Sequence, residues 1–224
     1  MNKVNYQKQL DEIIRGLSGR VPSLFLHSCC APCSSYVLEY LSQYFSITDF
    51  FYNPNIYPEE EYAHRSAELQ RLIGQMPLVH PVRFQEGRFD PREFYTAVKG
   101  LEQCGEGSER CFACFRLRLE ESAKMASAGG FDYFTTTLTI SPLKNAQKLN
   151  EIGMELAEKY HVGWLPSDFK KKGGYLRSTE LSRTYDLYRQ DYCGCVFSMR
   201  ERQEMKEQPE VGDEVKNKDT AKFL

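Results

Sequence analysis

The sequence predicts an α/β protein, a parallel sheet flanked by helices on both faces, and two observations carry that reading. Short apolar or β-branched runs alternate with longer stretches of helical periodicity along most of the chain. The chain is also long enough for a sizeable core, with 224 residues of which 41% are apolar and 27% charged. No apolar run approaches membrane-spanning length, and the N-terminal stretch has no apolar signal core, so a cytoplasmic protein with no membrane partner is expected. A net charge of −2 excludes a protein that is basic all over, though not one with a local basic face.

Leu10, Ile13, Ile14 and Leu17 recur at helical spacing, so residues 4–18 read as an amphipathic helix. Residues 23–27 form a short buried strand, followed at once by Cys29-Cys30-Ala-Pro-Cys33 and a helix to Leu41 capped by Ser34. Residues 47–52 read as the second strand, ended by Asn53-Pro-Asn55, and residues 59–73 as a helix. A third strand is expected over 78–83, interrupted by Pro81, then a short helix over 91–98. After a loop rich in Gly and Glu come a helix over 111–128, a strand over 133–138, a helix over 145–160 and a strand over 162–165. A final helix is expected over 179–188, ahead of Cys193-Gly-Cys195. Residues 1–207 read as one domain and residues 208–224 as a mobile charged tail.

The unusual feature of the composition is eight cysteines in a chain where no export signal is read. In a reducing compartment such cysteines suit metal ligation or redox chemistry better than structural disulfides. Cys30-Ala-Pro-Cys33 and Cys111-Phe-Ala-Cys114 are two C-x-x-C pairs, with Cys29 beside the first. Each pair opens a helix, where unpaired N–H groups stabilise thiolates. The first also follows strand one directly, at the sheet edge where α/β proteins keep their sites. Thiolates suit zinc and iron–sulfur clusters alike, so a structural zinc site remains open at this point. Cys193-Gly-Cys195 is too tight for comfortable chelation and reads as a redox dithiol, with further ligands or buried thiols as the alternatives. Cys104 reads as a bystander.

His27, at the end of strand one, is a candidate proton donor or ligand orienter, or simply a hydrogen-bonded strand residue. Asp168 and Asp191 lie in loops near the expected site and can bind metal, donate protons or cap turns. His64, His80 and His161 read as structural. Asn53, Asn55 and Thr135–Thr137 are polar groups at the same sheet edge. Lys170, Lys171, Lys172, Arg177 and Arg183, with Tyr175, form a basic stretch that suits nucleic-acid phosphates or is only solvated. Tyr185, Tyr188, Arg189 and Tyr192 add stacking surfaces beside the last cysteines.

Taken together, His27-Ser-Cys-Cys-Ala-Pro-Cys33, Phe51-Tyr-Asn-Pro-Asn-Ile56, Arg110-Cys-Phe-Ala-Cys114, Thr136-Thr-Leu-Thr-Ile-Ser-Pro142 and Tyr192-Cys-Gly-Cys195 resemble the QueH family of epoxyqueuosine reductases. The resemblance runs from about residue 5 to 205 in family order, with no departure at a motif position. It implies reduction of the epoxide of epoxyqueuosine at the tRNA wobble position, with oxygen lost as water. It further implies a [4Fe–4S] cluster on Cys29, Cys30, Cys111 and Cys114, and Cys193 and Cys195 as the redox-active pair. An additional iron ion, with Cys33 and an aspartate as candidate ligands, is also implied. His27 and Asp168 are then candidate proton donors, and the electron donor is unspecified. The implied fold is of the nucleotide α-hydrolase type. Cysteines stand where its ATP-using relatives carry a glycine-rich phosphate loop, so ATP use is not expected. The competing readings are a cluster-containing tRNA-thiolating enzyme, which would need that loop, and a zinc-stapled RNA-binding protein.

Overall fold

A computed structural model describes residues 4–207; the expected tail over 208–224 lies outside the described residues. Five strands form one all-parallel sheet: β1 (Ser23–Ser28), β2 (Ser46–Phe51), β3 (Val82–Glu86), β4 (Tyr133–Thr136) and β5 (Gly163–Trp164). Their spatial order is β3-β2-β1-β4-β5. Eight helices accompany them: α1 (Tyr6–Gly16), α2 (Ala31–Leu41), α3 (Glu59–Gln75), α4 (Pro91–Ala97), α5 (Glu109–Ala128), α6 (Ala146–Tyr160), α7 (Gly174–Thr184) and α8 (Val196–Glu207). The α/β reading holds.

Alternation along β1 divides the core. Leu24 and Leu26 pack with Leu10 of α1, Val37 and Leu38 of α2, and Leu69 and Leu72 of α3. Phe25 points the other way, into a cluster with Phe115 and Leu119 of α5 and Leu149, Ile152 and Leu156 of α6. Both faces of the central strand are covered, which a parallel sheet requires. Strand order reverses between β1 and β4, so the connections that follow them leave in opposite directions and open a crevice at their C-terminal ends.

Of the boundaries that differ from expectation, four have a clear local reason, and helix α8 falls where no helix was expected. Helix α2 begins at Ala31 with Cys30 as its N-cap, and Pro32 sits in the first turn, where its fixed φ and missing N–H fit. Ser34 therefore lies inside the helix, and its Oγ donates to the Cys30 carbonyl at 2.9 Å. Strand β3 starts after Pro81, which has no N–H to give a ladder. Strand β4 stops at Thr136, whose Oγ1 accepts from Leu138 N and starts a 3-10 turn over Thr137–Ile140. Helix α7 starts at Gly174, because Gly173 at φ 75° supplies the left-handed turn before it.

Candidate metal centre

The crevice between β1 and β4 is where the cysteines collect. Cys29 and Cys30 follow Ser28, the last residue of β1, and Cys33 lies in the first turn of α2. The three sulfurs lie within 4.8 Å of one another, with Cys29 and Cys30 3.7 Å apart. Gln190 Nε2 donates to Cys30 Sγ at 3.0 Å. Hydrogen bonds from Cys29 and Cys33, against the opposing effect of burial, hold the Cys30 thiol well below its ordinary range. Hydrogen bonds to Cys29 and Cys30, with burial, push Cys33 well above it, so the three thiols do not ionise together.

Helix α5 brings the second pair. Cys111 Sγ accepts from Gly107 N at 3.2 Å, in the loop ahead of the helix, and Cys114 follows one turn later. Burial pushes Cys111 up and Cys114 to about 12, so both wait for a cation or metal before ionising. Cys111 and Cys114 are not within reach of the first triad as ligands of a single ion; they line a small cavity with Cys193 and Cys195. A larger cavity of about 350 Å³ is lined by Cys29, Cys33, Cys193, Lys144, Tyr175 and Arg189, among others. Cys193 and Arg118 border both. Seven of the eight cysteines thus belong to one neighbourhood. Cys104 lies outside both cavities.

Fixed cations balance this sulfur. Arg118, on α5 and 2% exposed, donates from Nε to the Cys114 carbonyl and from Nη1 to Asn53 Oδ1, both at 3.3 Å. Burial opposes its charge, and the thiols of Cys114, Cys193, Cys29 and Cys111 outweigh that opposition. Lys144 is held cationic in the same way, against burial, by Cys193, Cys29 and Cys33. Arg65, 1% exposed, keeps Nη2 buried with no hydrogen-bond partner among the described residues. Soft thiol donors, no carboxylate among the close triad, and surplus buried positive charge fit an anionic metal–thiolate group.

The remaining candidates lie around this centre. His27 is fully buried, with Nε2 donating to the Tyr52 carbonyl at 3.1 Å and Nδ1 accepting from Thr136 Oγ1 at 2.9 Å. Burial, with the Arg118 charge, drives its pKa down to about 3, so the ring is neutral. Asp168 is ion-paired to Lys170 at 2.7 Å, and neither His27 nor Asp168 lines the two cavities. Asp191 lines the larger one and pairs with Lys206. The basic stretch is mostly spent within the chain: Lys170 on Asp168, Lys172 on Asp11, Arg177 on Glu39 and Glu180. Sequence reasoning missed Arg65, Arg118, Lys144 and Gln190. Arg118 had a readable signal, since it stands four residues after Cys114 and therefore on the same helix face. Lys144 and Gln190 sit in loops with no periodicity to betray them.

Among the described residues no helix is long and apolar enough to cross a membrane. A family profile described as Epoxyqueuosine reductase QueH matches residues 24–201. The chain is 46% identical over 202 residues to the epoxyqueuosine reductase QueH of Staphylococcus epidermidis, covering 88% of this chain and 85% of that protein. It is 43% identical over 202 residues to that of Streptococcus pyogenes, covering 88% and 79%. With that of Thermotoga maritima the identity is 40% over 186 residues, covering 81% and 93%. A profile matching most of the chain, and relatives this similar over most of both lengths, place the chain in the QueH family of epoxyqueuosine reductases.

Proposed function

We propose that this protein reduces epoxyqueuosine at the wobble position of tRNA to queuosine, using a [4Fe–4S] cluster and a redox dithiol. The observation that carries the proposal is the shared wall: Cys193 borders both the open cavity near Cys29 and Cys33 and the small one near Cys111 and Cys114. An exchangeable thiol thus borders both groups of candidate ligand thiols and the space a substrate would enter.

In this reading Cys29, Cys30, Cys111 and Cys114 hold the cluster, and Cys33 is a ligand of one further iron. A cube of irons and sulfides spreads its ligands more widely than one ion does, so pairs at the starts of two helices suit it. Bound there, the metal group supplies single electrons and a Lewis-acidic iron. Arg118 offsets thiolate charge, and Lys144 offers a hydrogen-bond donor on the cavity wall for an oxygen of the substrate. His27, with both nitrogens engaged, fixes the wall by tying β1 to Thr136 and Tyr52. Asp168 does the same for the loop ahead of α7 through Lys170.

Converting the epoxide to the alkene takes two electrons and two protons and releases the oxygen as water. Closing Cys193 and Cys195 to a disulfide yields two electrons and two protons, and an external reductant reopens it. The tRNA partner meets the cavity rim, where Tyr175 and Arg189 are exposed, and we place the reaction in the cytoplasm.

The test is metal and sulfide analysis of anaerobically purified protein, joined to nucleoside mass analysis of treated tRNA. About four irons with matching sulfide, and loss of one oxygen from the nucleoside, support the proposal. Zinc alone refutes it. Cys111→Ser protein that keeps full iron and sulfide refutes the ligand set.

A further inference from the structure

Arg65 stands in the middle of α3, far in sequence from the last cysteines, and spends its guanidinium on them. Nε donates to Glu61 Oε1 at 2.7 Å, and Nη1 donates to the Cys193 carbonyl at 3.2 Å. The guanidinium carbon lies 5.2 Å from the centre of the Tyr192 ring. A Cβ on Gly194 would stand 3.1 Å from Nη1, so the turn between the two cysteines is packed directly on this group. The surrounding contacts fasten the same segment. Tyr57 N donates to the Gly194 carbonyl at 2.8 Å, and Tyr192 Oη donates to the Tyr57 carbonyl at 2.5 Å. Glu61, which anchors Arg65, also accepts from Tyr188 Oη at 3.0 Å.

We propose that Arg65 is the positioning residue of the Cys193–Cys195 dithiol, holding the Cys193 carbonyl and the Gly194 turn so that Cys193 stays at the neck between the two cavities and Cys195 in the smaller one. The inference rests on the dithiol reading given above. Only a planar fork serves Glu61, the Cys193 carbonyl and the Tyr192 face together; a lysine ammonium is a single point of charge. A guanidinium this deeply buried beside one carboxylate is not needed to join α3 to a loop, which apolar contacts do without desolvating a charge.

The test uses the metal-loaded full chain and the variants Arg65→Met, Arg65→Lys and Glu61→Gln, with three readouts. These are iron and sulfide content, iodoacetamide labelling of Cys193 and Cys195 relative to Cys104 in the reduced protein, and kcat against KM for tRNA. Compared with the parent at matched iron content, Arg65→Met is expected to change the labelling of Cys193 about tenfold, the scale of one lost charged hydrogen bond. It lowers kcat by a similar factor with KM little changed. Arg65→Lys and Glu61→Gln shift in the same direction by less. Unchanged labelling and kcat in folded, metal-loaded variants overturn the proposal. Should Arg65→Met fail to fold, the two milder variants decide it alone. Labelling reports position whether or not the pair carries electrons, so normal turnover in Cys193→Ser and Cys195→Ser protein would sink the dithiol reading separately.

Discussion

Cys114 and Arg118 stand one turn apart on α5, and Arg118 returns from Nε to the Cys114 carbonyl while its other end reaches Asn53 Oδ1 across the crevice. The helix that supplies two thiols therefore also supplies a buried charge that opposes the effect of burial on Cys114.

Arg118→Met should weaken metal retention far more than it weakens the fold. The loaded protein loses a hydrogen-bonded charge next to thiolates, an interaction worth roughly 1.5–3 kcal/mol, whereas the metal-free protein is relieved of a desolvated cation. The melting temperatures of loaded and metal-free protein should draw together, since metal binding stabilises by its affinity alone. Arg118→Lys should fall between. An unchanged gap would mean that Arg118 serves the fold only.

Gly194→Ala should destabilise. Gly194 has φ +133°, and an added Cβ would lie 3.1 Å from Arg65 Nη1 and 3.2 Å from Ile56 Cγ1. Backbone strain of that kind costs roughly 1–3 kcal/mol before the crowding is counted. Gly130→Ala is the control: φ is +67° there and nothing lies within 4 Å of the added carbon. Anaerobic thermal unfolding should show the larger loss at Gly194, and equal losses would contradict the packed turn.

Asp49 on β2 is fully buried, accepts from Ser28 Oγ at 2.7 Å and leaves Oδ1 without a partner among the described residues. Burial raises its pKa from 3.8 to about 8, with the Cys29 charge adding to the effect. A carboxyl whose folded value lies above its unfolded value favours folding in the protonated form. Its contribution is full below pH about 4 and is lost as pH rises through about 8, by at most roughly 1.4 kcal/mol per unit. Asp49→Asn should remove that fall, so its stability advantage over the parent grows across this window. A pH-independent difference would show that Asp49 is ionised in the fold.

The basic loop makes a graded prediction. Lys171 is exposed and makes no ion pair among the described residues, while Lys170 and Lys172 are paired. Lys171→Ala should flatten the salt dependence of tRNA binding by roughly 0.7–0.9 log units, as one lost phosphate contact does. Lys172→Ala should do less, because Asp11 already neutralises it. No change for Lys171 would place the phosphate contacts elsewhere.

Much of this molecule was legible in the chain. The alternation of apolar runs and helical stretches gave a parallel sheet, and cysteines directly after β1 fell at its C-terminal edge because the chain has nowhere else to go there. Boundaries were harder, since Pro32, Pro81 and Gly173 each moved an element end by local backbone preference. The charges at the site were hardest. Arg65 reaches Cys193 across 128 positions, and no spacing rule connects residues that only the fold brings together. The basic stretch shows the converse: Lys170 is paired with Asp168 of its own loop, and Lys172 and Arg177 with Asp11 of α1 and Glu39 of α2.

In the proposed reaction, electrons for the epoxide pass through Cys193 and Cys195. Free thiols trapped before and after one turnover on tRNA carrying epoxyqueuosine, without external reductant, test it most directly by peptide mass analysis. Two thiols should disappear at Cys193 and Cys195 for each epoxide reduced, and added reductant should restore both. Epoxide reduction with those thiols still free, or with the loss at other cysteines, would contradict it.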